Sequence, residues 1–360
     1  MIHIVIGTKA QLIKMAPIMA ILQKKGVSYN FIYTSQHKEK MWALLDNFNL
    51  KKPDYILYQN KKDVTSIIQM GIWFFTCIIE LWKNKSEIFK NDNKGIVLIH
   101  GDTFSTLLGA VMGKMVDLNV GHVESGLRSF NLFHPFPEEI TRLLTFKLSN
   151  IYFCPGNWAI QNLKKEKGEK INLENNTLVD SVNLALSLSD RSQVVIPDKS
   201  FGIVSIHRYE NIFKRENLNR CIQLIEIIAN KHPLLFVLHL PTEKQLKKFE
   251  FYDRLINNPN IEMRPRYDYF DFIALLKNSN FLITDGGSNQ EECSYMGHPC
   301  LLLRKATERQ EGLAKNVVLS EYDENKVLLF VNNLSDYRYP AQMPNISPST
   351  ILVEQCVSYQ

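Results

Sequence analysis

The chain lacks any paired or clustered cysteines. Its six, Cys77, Cys154, Cys221, Cys293, Cys300 and Cys356, are scattered over 360 residues, with no CxxC and no ligand spacing that suits a metal. A disulfide scaffold and a zinc module are thereby excluded, and free, mostly buried thiols in a reducing compartment are expected. Long apolar runs are missing too. The nearest to one, residues 67–82 (IIQMGIWFFTCIIELW), is shorter than the roughly 20 residues of a spanning helix and contains Glu80. It reads as a buried or dimer-interface helix, with a patch that touches a membrane as the alternative. Basic blocks are absent apart from lysine pairs such as Lys61-Lys62 and Lys164-Lys165. That argues against nucleic acid, while the net charge of +5 suits an anionic small ligand. No internal repeat or low-complexity segment is evident. His3-Ile4-Val5-Ile6 leaves no room for a signal peptide, so the cytoplasm is expected.

What is present is an alternation of short apolar runs and amphipathic stretches. Strands are expected at 3–6, 29–34, 95–100, 119–123 and 151–154, with helices at 10–23, 38–48, 103–115, 138–148 and 158–165. After a polar junction at 167–200 the rhythm restarts at 202–206. Continuous apolar strands separated by helices indicate parallel sheets buried on both faces. The expected fold is α/β, with two Rossmann-like domains facing across a cleft, and ligands at the carboxyl ends of the strands. The domains are placed at 1–170 and 171–340, with a tail at 341–360 packing back on the first.

Polar residues and glycines gather just after the strands. His100-Gly101-Asp102-Thr103 ends one, and Asp102 could be a helix cap or a functional acid. Glu124 follows the next in a glycine-flanked stretch, where capping does not account for it. Pro137-Glu138-Glu139 opens a helix whose two acids could serve only its dipole. Three carboxylates brought towards one cleft suit proton transfer, since acids in a low-dielectric pocket separate their pKa values. In the second half, His207 follows a strand in HRYEN. Asp285-Gly286-Gly287-Ser288 precedes a helix whose free N–H groups suit a diphosphate. Arg309 in RKATERQE could pair with phosphate or sit in a solvated loop.

Taken in order, GTKAQLIKMAP (7–17), SQHKEKM (35–41), HGDT (100–103), GHVESGLRS (121–129), PFPEEITR (135–142), HRYEN (207–211), TDGGSNQEE (284–292) and KATERQEG (305–312) resemble the UDP-N-acetylglucosamine 2-epimerase family over nearly the whole chain. The resemblance implies two domains of glycosyltransferase-B type, usually in a homodimer, needing neither metal nor other cofactor. It places Asp102, Glu124 and Glu138 against the sugar, with Lys9, Lys14 and Arg142 nearby as substrate-binding residues. His207, counted with the catalytic residues, falls beside the diphosphate with Gly287, Ser288 and Asn289; Glu292 falls at the ribose, Arg309 at a phosphate, and the loop near Tyr267 to Phe272, with Tyr269 and Phe270, at the uracil. The implied reaction inverts C2 of a UDP-HexNAc by eliminating UDP to 2-acetamidoglucal and adding it back, for cell-surface polysaccharide.

The chain departs from the family pattern in places. Lys9-Ala10-Gln11 replaces Arg-Pro-Glu, losing a guanidinium fork and an acid. Thr141 replaces an Asn, and the diphosphate turn reads GGS instead of SGG. His37 is kept from an activating site, but the stretch 58–65 lacks the arginine expected there. The alternatives are a hydrolysing epimerase that releases ManNAc, a glycosyltransferase of the same fold acting on a lipid-linked acceptor, and a nucleotide-sugar sensor without turnover.

Overall fold

The computed structural model describes residues 1–36, 41–59, 67–132 and 137–359. His37, most of the 58–65 stretch and Pro135-Phe136 lie outside them. The chain divides into two compact units, Met1–Ser181 with Pro344–Gln360, and Val182–Met343.

Unit 1 runs β1 (Ile2–Ile6), α1 (Lys9–Lys24), β2 (Tyr29–Tyr33), α2 (Met41–Asn47), β3 (Tyr55–Ile56), α3 (Ile67–Ile88) and β4 (Ile96–His100). It continues with α4 (Phe104–Met115), β5 (Asn119–Val123), α5 (Glu138–Leu148), β6 (Ile151–Cys154), α6 (Asn157–Asn162), β7 (Glu169–Asn172) and the start of α7 (Leu178–Leu188). Its seven strands form a sheet in the order β3-β2-β1-β4-β5-β6-β7, parallel throughout. β1, β2 and β4 are buried at every position because helices cover both faces, which is why they read as unbroken apolar runs. Gly109 lets α4 lie close on the sheet: a Cβ there would come within 2.6 Å of Ile99 Cγ2.

Unit 2 follows with β8 (Gly202–Ser205), α8 (Tyr209–Ile212), α9 (Arg215–Ala229), β9 (Leu234–Leu238), α10 (Leu240–Lys248), α11 (Tyr252–Ile256) and β10 (Ile261–Pro265). Then come α12 (Tyr269–Asn278), β11 (Leu282–Thr284), α13 (Gly287–Met296), β12 (Cys300–Leu302), β13 (Val317–Leu319) and α14 (Glu324–Asn332). The parallel order β10-β9-β8-β11-β12-β13 repeats the pattern of unit 1. In each sheet the strand order reverses once, between β1 and β4 and between β8 and β11, which are the crevice positions of doubly wound folds. The last helix, α15 (Pro348–Val357), packs on α1.

The structure adds detail to two expectations, and the boundary between the units falls within the expected junction. The polar segment 167–200 is no plain linker: it carries β7, paired with β6, and α7, whose Val179, Val182 and Ala185 are buried. The apolar stretch 67–82 is not buried all round. Helix α3 turns Trp73, Cys77 and Leu81 into the core and leaves Ile68, Ile72, Phe75, Ile79 and Trp82 exposed. Among the described residues no helix is long and apolar enough to cross a membrane.

Candidate functional site

In unit 1 the chemistry gathers where β1, β4 and β5 end. Gln11, in the first turn of α1, bridges the switch point: its Oε1 accepts from the N–H groups of Gly7 (2.9 Å) and Thr8 (3.1 Å). Its amide donates to the His100 carbonyl (2.9 Å) and Thr106 Oγ1 (3.0 Å). A glutamate could accept but not donate there, so Gln11 does more than stand where an acid is lost.

Beyond the bridge lies Glu124, whose φ of 61° puts a non-glycine residue in the left-handed region. Such strain costs about 1–3 kcal/mol and marks a position held by its surroundings. Glu124 Oε2 lies 2.5 Å from Lys14 Nζ and 3.0 Å from His100 Nε2, and all three side chains are buried. Gly126, two residues on, is forced by space as well as by its φ of 91°, since a Cβ would fall 2.3 Å from the Ala159 carbonyl oxygen.

Asp102 is not the cap of α4. Thr103 is, accepting from Thr106 N, while Asp102 Oδ2 pairs with the buried Arg142 at 2.6 Å. Arg142 also reaches Glu139 at 3.2 Å. Glu139, fully buried, accepts from Arg128 Nε (2.5 Å) and Ser129 N (3.0 Å) as well. The two acids that open α5 therefore differ: Glu139 is occupied as a clamp, and Glu138 is half-buried at the first helical position. Asp102 and Glu124 both act on the His100 and His122 rings electrostatically, so they share one neighbourhood. Lys9 is half-buried at the start of α1.

His122 supports this end from below. Its Nε2 must donate to the Gly101 carbonyl (2.7 Å), which leaves Nδ1 to accept from Ser125 Oγ (2.9 Å). Burial pushes its pKa down to about 4, and burial lowers His3, His100 and His298 in the same direction. The unfolded chain takes up a proton near pH 6.5 and the native ring does not until about 4. Stability should thus fall as pH drops through that window, by about 1.4 kcal/mol per pH unit from His122, with the other lowered histidines acting in the same direction. Denaturant titrations at pH 7, 6 and 5 should show the slope. His122→Gln should flatten it whatever it does to stability at pH 7, and an undiminished slope would assign the dependence to other groups.

Unit 2 repeats the arrangement with different chemistry. Asp285, fully buried after β11, accepts from His207 N (2.9 Å), Arg208 N (3.0 Å) and Asn211 Nδ2 (2.9 Å), tying the two sides of this switch point together. The His207 ring stacks on His239, centroids 4.3 Å apart. Asn289 in the first turn of α13 accepts from Thr284 Oγ1 (3.1 Å) and donates to Glu292 (2.8 Å), which fixes the buried Glu292 carboxylate. Ser288 is half-buried beside it.

The segment after β12 is not a solvated charged loop. Gln290 holds it to α13 through the Glu311 carbonyl (3.0 Å) and Thr307 Oγ1 (2.8 Å). Arg304 and Arg309 are buried, and Glu308 is half-buried with its side chain largely covered. Glu308 pairs with Arg208 (3.2 Å) and Arg304 (3.0 Å); although burial opposes it, these cations hold its carboxyl well below the usual range. Arg309 is ion-paired with buried Glu291 and passes so close to Gly287 that a Cβ there would lie 2.7 Å from its Nε. Tyr269 and Phe270 belong to the first turn of α12, capped by Asp268, rather than to a loop. Sequence reasoning passed over His100, His122, Glu139, Gln290 and Asp285 as site residues. Their signal was position alone, each at a strand end or one turn into a helix.

The comparisons with known proteins point one way. The family model described as UDP-N-acetylglucosamine 2-epimerase matches residues 19–348. A UDP-N-acetylglucosamine 2-epimerase of Methanocaldococcus jannaschii is 32% identical, over 94% of this chain and 94% of its own. The crystal structure of M. jannaschii UDP-GlcNAc 2-epimerase in complex with UDP-GlcNAc and UDP superposes with a TM-score of 0.86, at 28% identity, covering 100% of this chain and 99% of that one. The Neisseria meningitidis enzyme bound to UDP-GlcNAc gives 0.84 at 29% identity, over 99% of both chains. With two Rossmann-like sheets of glycosyltransferase-B type and matches of this extent, the chain belongs to the UDP-N-acetylglucosamine 2-epimerase family.

Proposed function

We propose that this protein is a non-hydrolysing UDP-N-acetylglucosamine 2-epimerase serving cell-surface polysaccharide synthesis in the cytoplasm. The observation that carries the reading is the strained Glu124, held between Lys14 and His100 beside the Asp102–Arg142 pair. The C2 proton of the sugar is not acidic, so inversion needs a positioned base and a good leaving group. A carboxylate of the Asp102, Glu124 and Glu138 set removes that proton while the C1–O bond breaks and UDP departs. UDP then returns to C1 of the glycal as a proton is delivered to the opposite face of C2. Lys14 and Arg142 provide positive charge on this side.

The nucleotide falls to unit 2. The N-terminus of α13, with Gly287, Ser288 and Asn289, faces the diphosphate together with His207, and Glu292 takes the ribose. Arg309 serves a phosphate, and Tyr269 and Phe270 the uracil. A homodimer is the assembly this reading implies, and peripheral contact with a membrane is its competitor. Incubated with UDP-N-acetylglucosamine in D2O, the protein should place deuterium at C2 and yield UDP-ManNAc. Absence of exchange with several UDP-HexNAc substrates would remove the reading, and free ManNAc as the product would make it hydrolysing.

A further inference from the structure

The turn from β13 into α14 holds two consecutive residues in the left-handed region, Glu321 (φ 52°) and Tyr322 (φ 61°). An aromatic residue on such backbone is uncommon and strained. Hydrogen bonds impose the conformation. Ser320 N donates to the Leu302 carbonyl (3.0 Å), and Glu321 N to the Arg304 carbonyl (3.0 Å). Asp323 N returns to the Ser320 carbonyl (2.8 Å), and Tyr322 N donates to Ser320 Oγ (3.2 Å). The start of α14 does not need the ring, because Asp323 caps the helix by accepting from Asn325 N and Lys326 N.

What the turn achieves is the direction of the Tyr322 phenol. The ring lies half-buried against the core of unit 2, and its oxygen is 2.5 Å from Oδ1 of the fully buried Asn211. Asn211 has no choice in that contact. Its amide nitrogen donates to Asp285 Oδ2 (2.9 Å) and to the Leu303 carbonyl (2.9 Å), and both of these groups can only accept. The amide oxygen therefore faces the phenol, and the phenol is the donor. Burial, with Cys221, Glu210 and Asp285 beside it, pushes the Tyr322 pKa up and keeps that proton in place. Asp285 in turn accepts from His207 N and Arg208 N.

We propose that Tyr322 is a positioning residue for His207, acting through Asn211 and Asp285. The inference rests on the reading of His207 as a group that works beside the departing diphosphate. Without the phenol O–H, the buried Asn211 oxygen has no donor, and its amide turns to find one. Its hold on Asp285 then loosens, and with it the carboxylate's grip on the backbone of His207. Negative charge grows on the leaving diphosphate only as the C1–O bond breaks. A small displacement of His207 therefore weakens the transition state more than it weakens ground-state binding.

Tyr322→Phe tests this, since it keeps the ring and removes only the O–H. Its kcat should fall about 5- to 10-fold, the effect of one lost hydrogen bond, while KM for UDP-N-acetylglucosamine stays within about twofold. In a His207→Gln background the same substitution should change kcat by less than about twofold, because the two act as one unit. A readout without turnover is the ring signal of His207 in protein isotopically labelled at histidine Cε1, identified by its loss in His207→Gln. That signal should move in Tyr322→Phe. An unmoved signal would overturn the inference whether or not the protein epimerises. So would full kcat with a lowered melting temperature, the mark of a purely structural tyrosine, or an undiminished effect in the His207→Gln background. A moved signal in a protein with no turnover would keep the inference and remove the epimerase reading instead.

Discussion

Glu124→Gln should cut turnover by about 100-fold or more and lower the melting temperature as well. The second effect follows from what the carboxylate touches. Lys14 Nζ lies 2.5 Å from Glu124 and is itself buried, so a neutral glutamine takes a counter-charge away from an ammonium ion in a poorly solvated place. Removing one partner of a buried pair costs about 3–5 kcal/mol, and the retained amide hydrogen bond should hold the loss near the lower end. The double variant Lys14→Met, Glu124→Gln separates the two effects. With neither charge left to bury, much of the stability should return while turnover does not. Recovery of turnover together with stability would reduce Glu124 to a structural counter-ion. Asp102→Asn and Glu138→Gln should match it in turnover but differ in stability. Arg142 keeps Glu139 when Asp102 is neutralised, and Glu138 is only half-buried. The three losses should also fail to add, as they do for groups that act as a unit.

The sheets were legible because parallel strands buried on both faces must be continuously apolar: β1, β2, β4, β5, β6 and β8 all stand where those runs place them. β7 was not, since Glu169-Lys170-Ile171-Asn172 is an edge strand with half-exposed side chains and carries no apolar run. The outer face of α3 was hidden for the opposite reason. Sixteen mostly apolar residues show no period that tells core from surface, and only tertiary packing assigns the two faces. At the site, a carboxylate at a strand end is visible in sequence, but its partners come from far along the chain. Nothing local pairs Glu124 with Lys14, 110 residues away, or sets Glu139 apart from Glu138. Gln11 was misjudged for the same reason, because its value lies in donating to a carbonyl 89 residues on.

Arg309 poses the sharpest conflict between a binding role and a folding role. Sequence and resemblance give it to a phosphate, which would make Arg309→Ala a loss of about 1.5–3 kcal/mol in UDP binding. The structure commits the same guanidinium to Glu291, which is fully buried on α13, and packs its shaft over Gly287. Taking the arginine away removes a counter-ion from that buried carboxylate, so Arg309→Ala should cost about 3–5 kcal/mol of stability, more than the binding effect it was meant to report. Arg309→Lys should lose less, keeping the charge without the fork. Binding is therefore better read in Arg309→Met, Glu291→Gln, which removes both charges together. That protein should melt close to the original, and calorimetry should show UDP held about 10- to 100-fold more weakly if the guanidinium reaches a phosphate. Unchanged UDP affinity in a stable double variant would leave Arg309 as the counter-ion of Glu291. The diphosphate would then rest on the backbone N–H groups at the start of α13 and on His207.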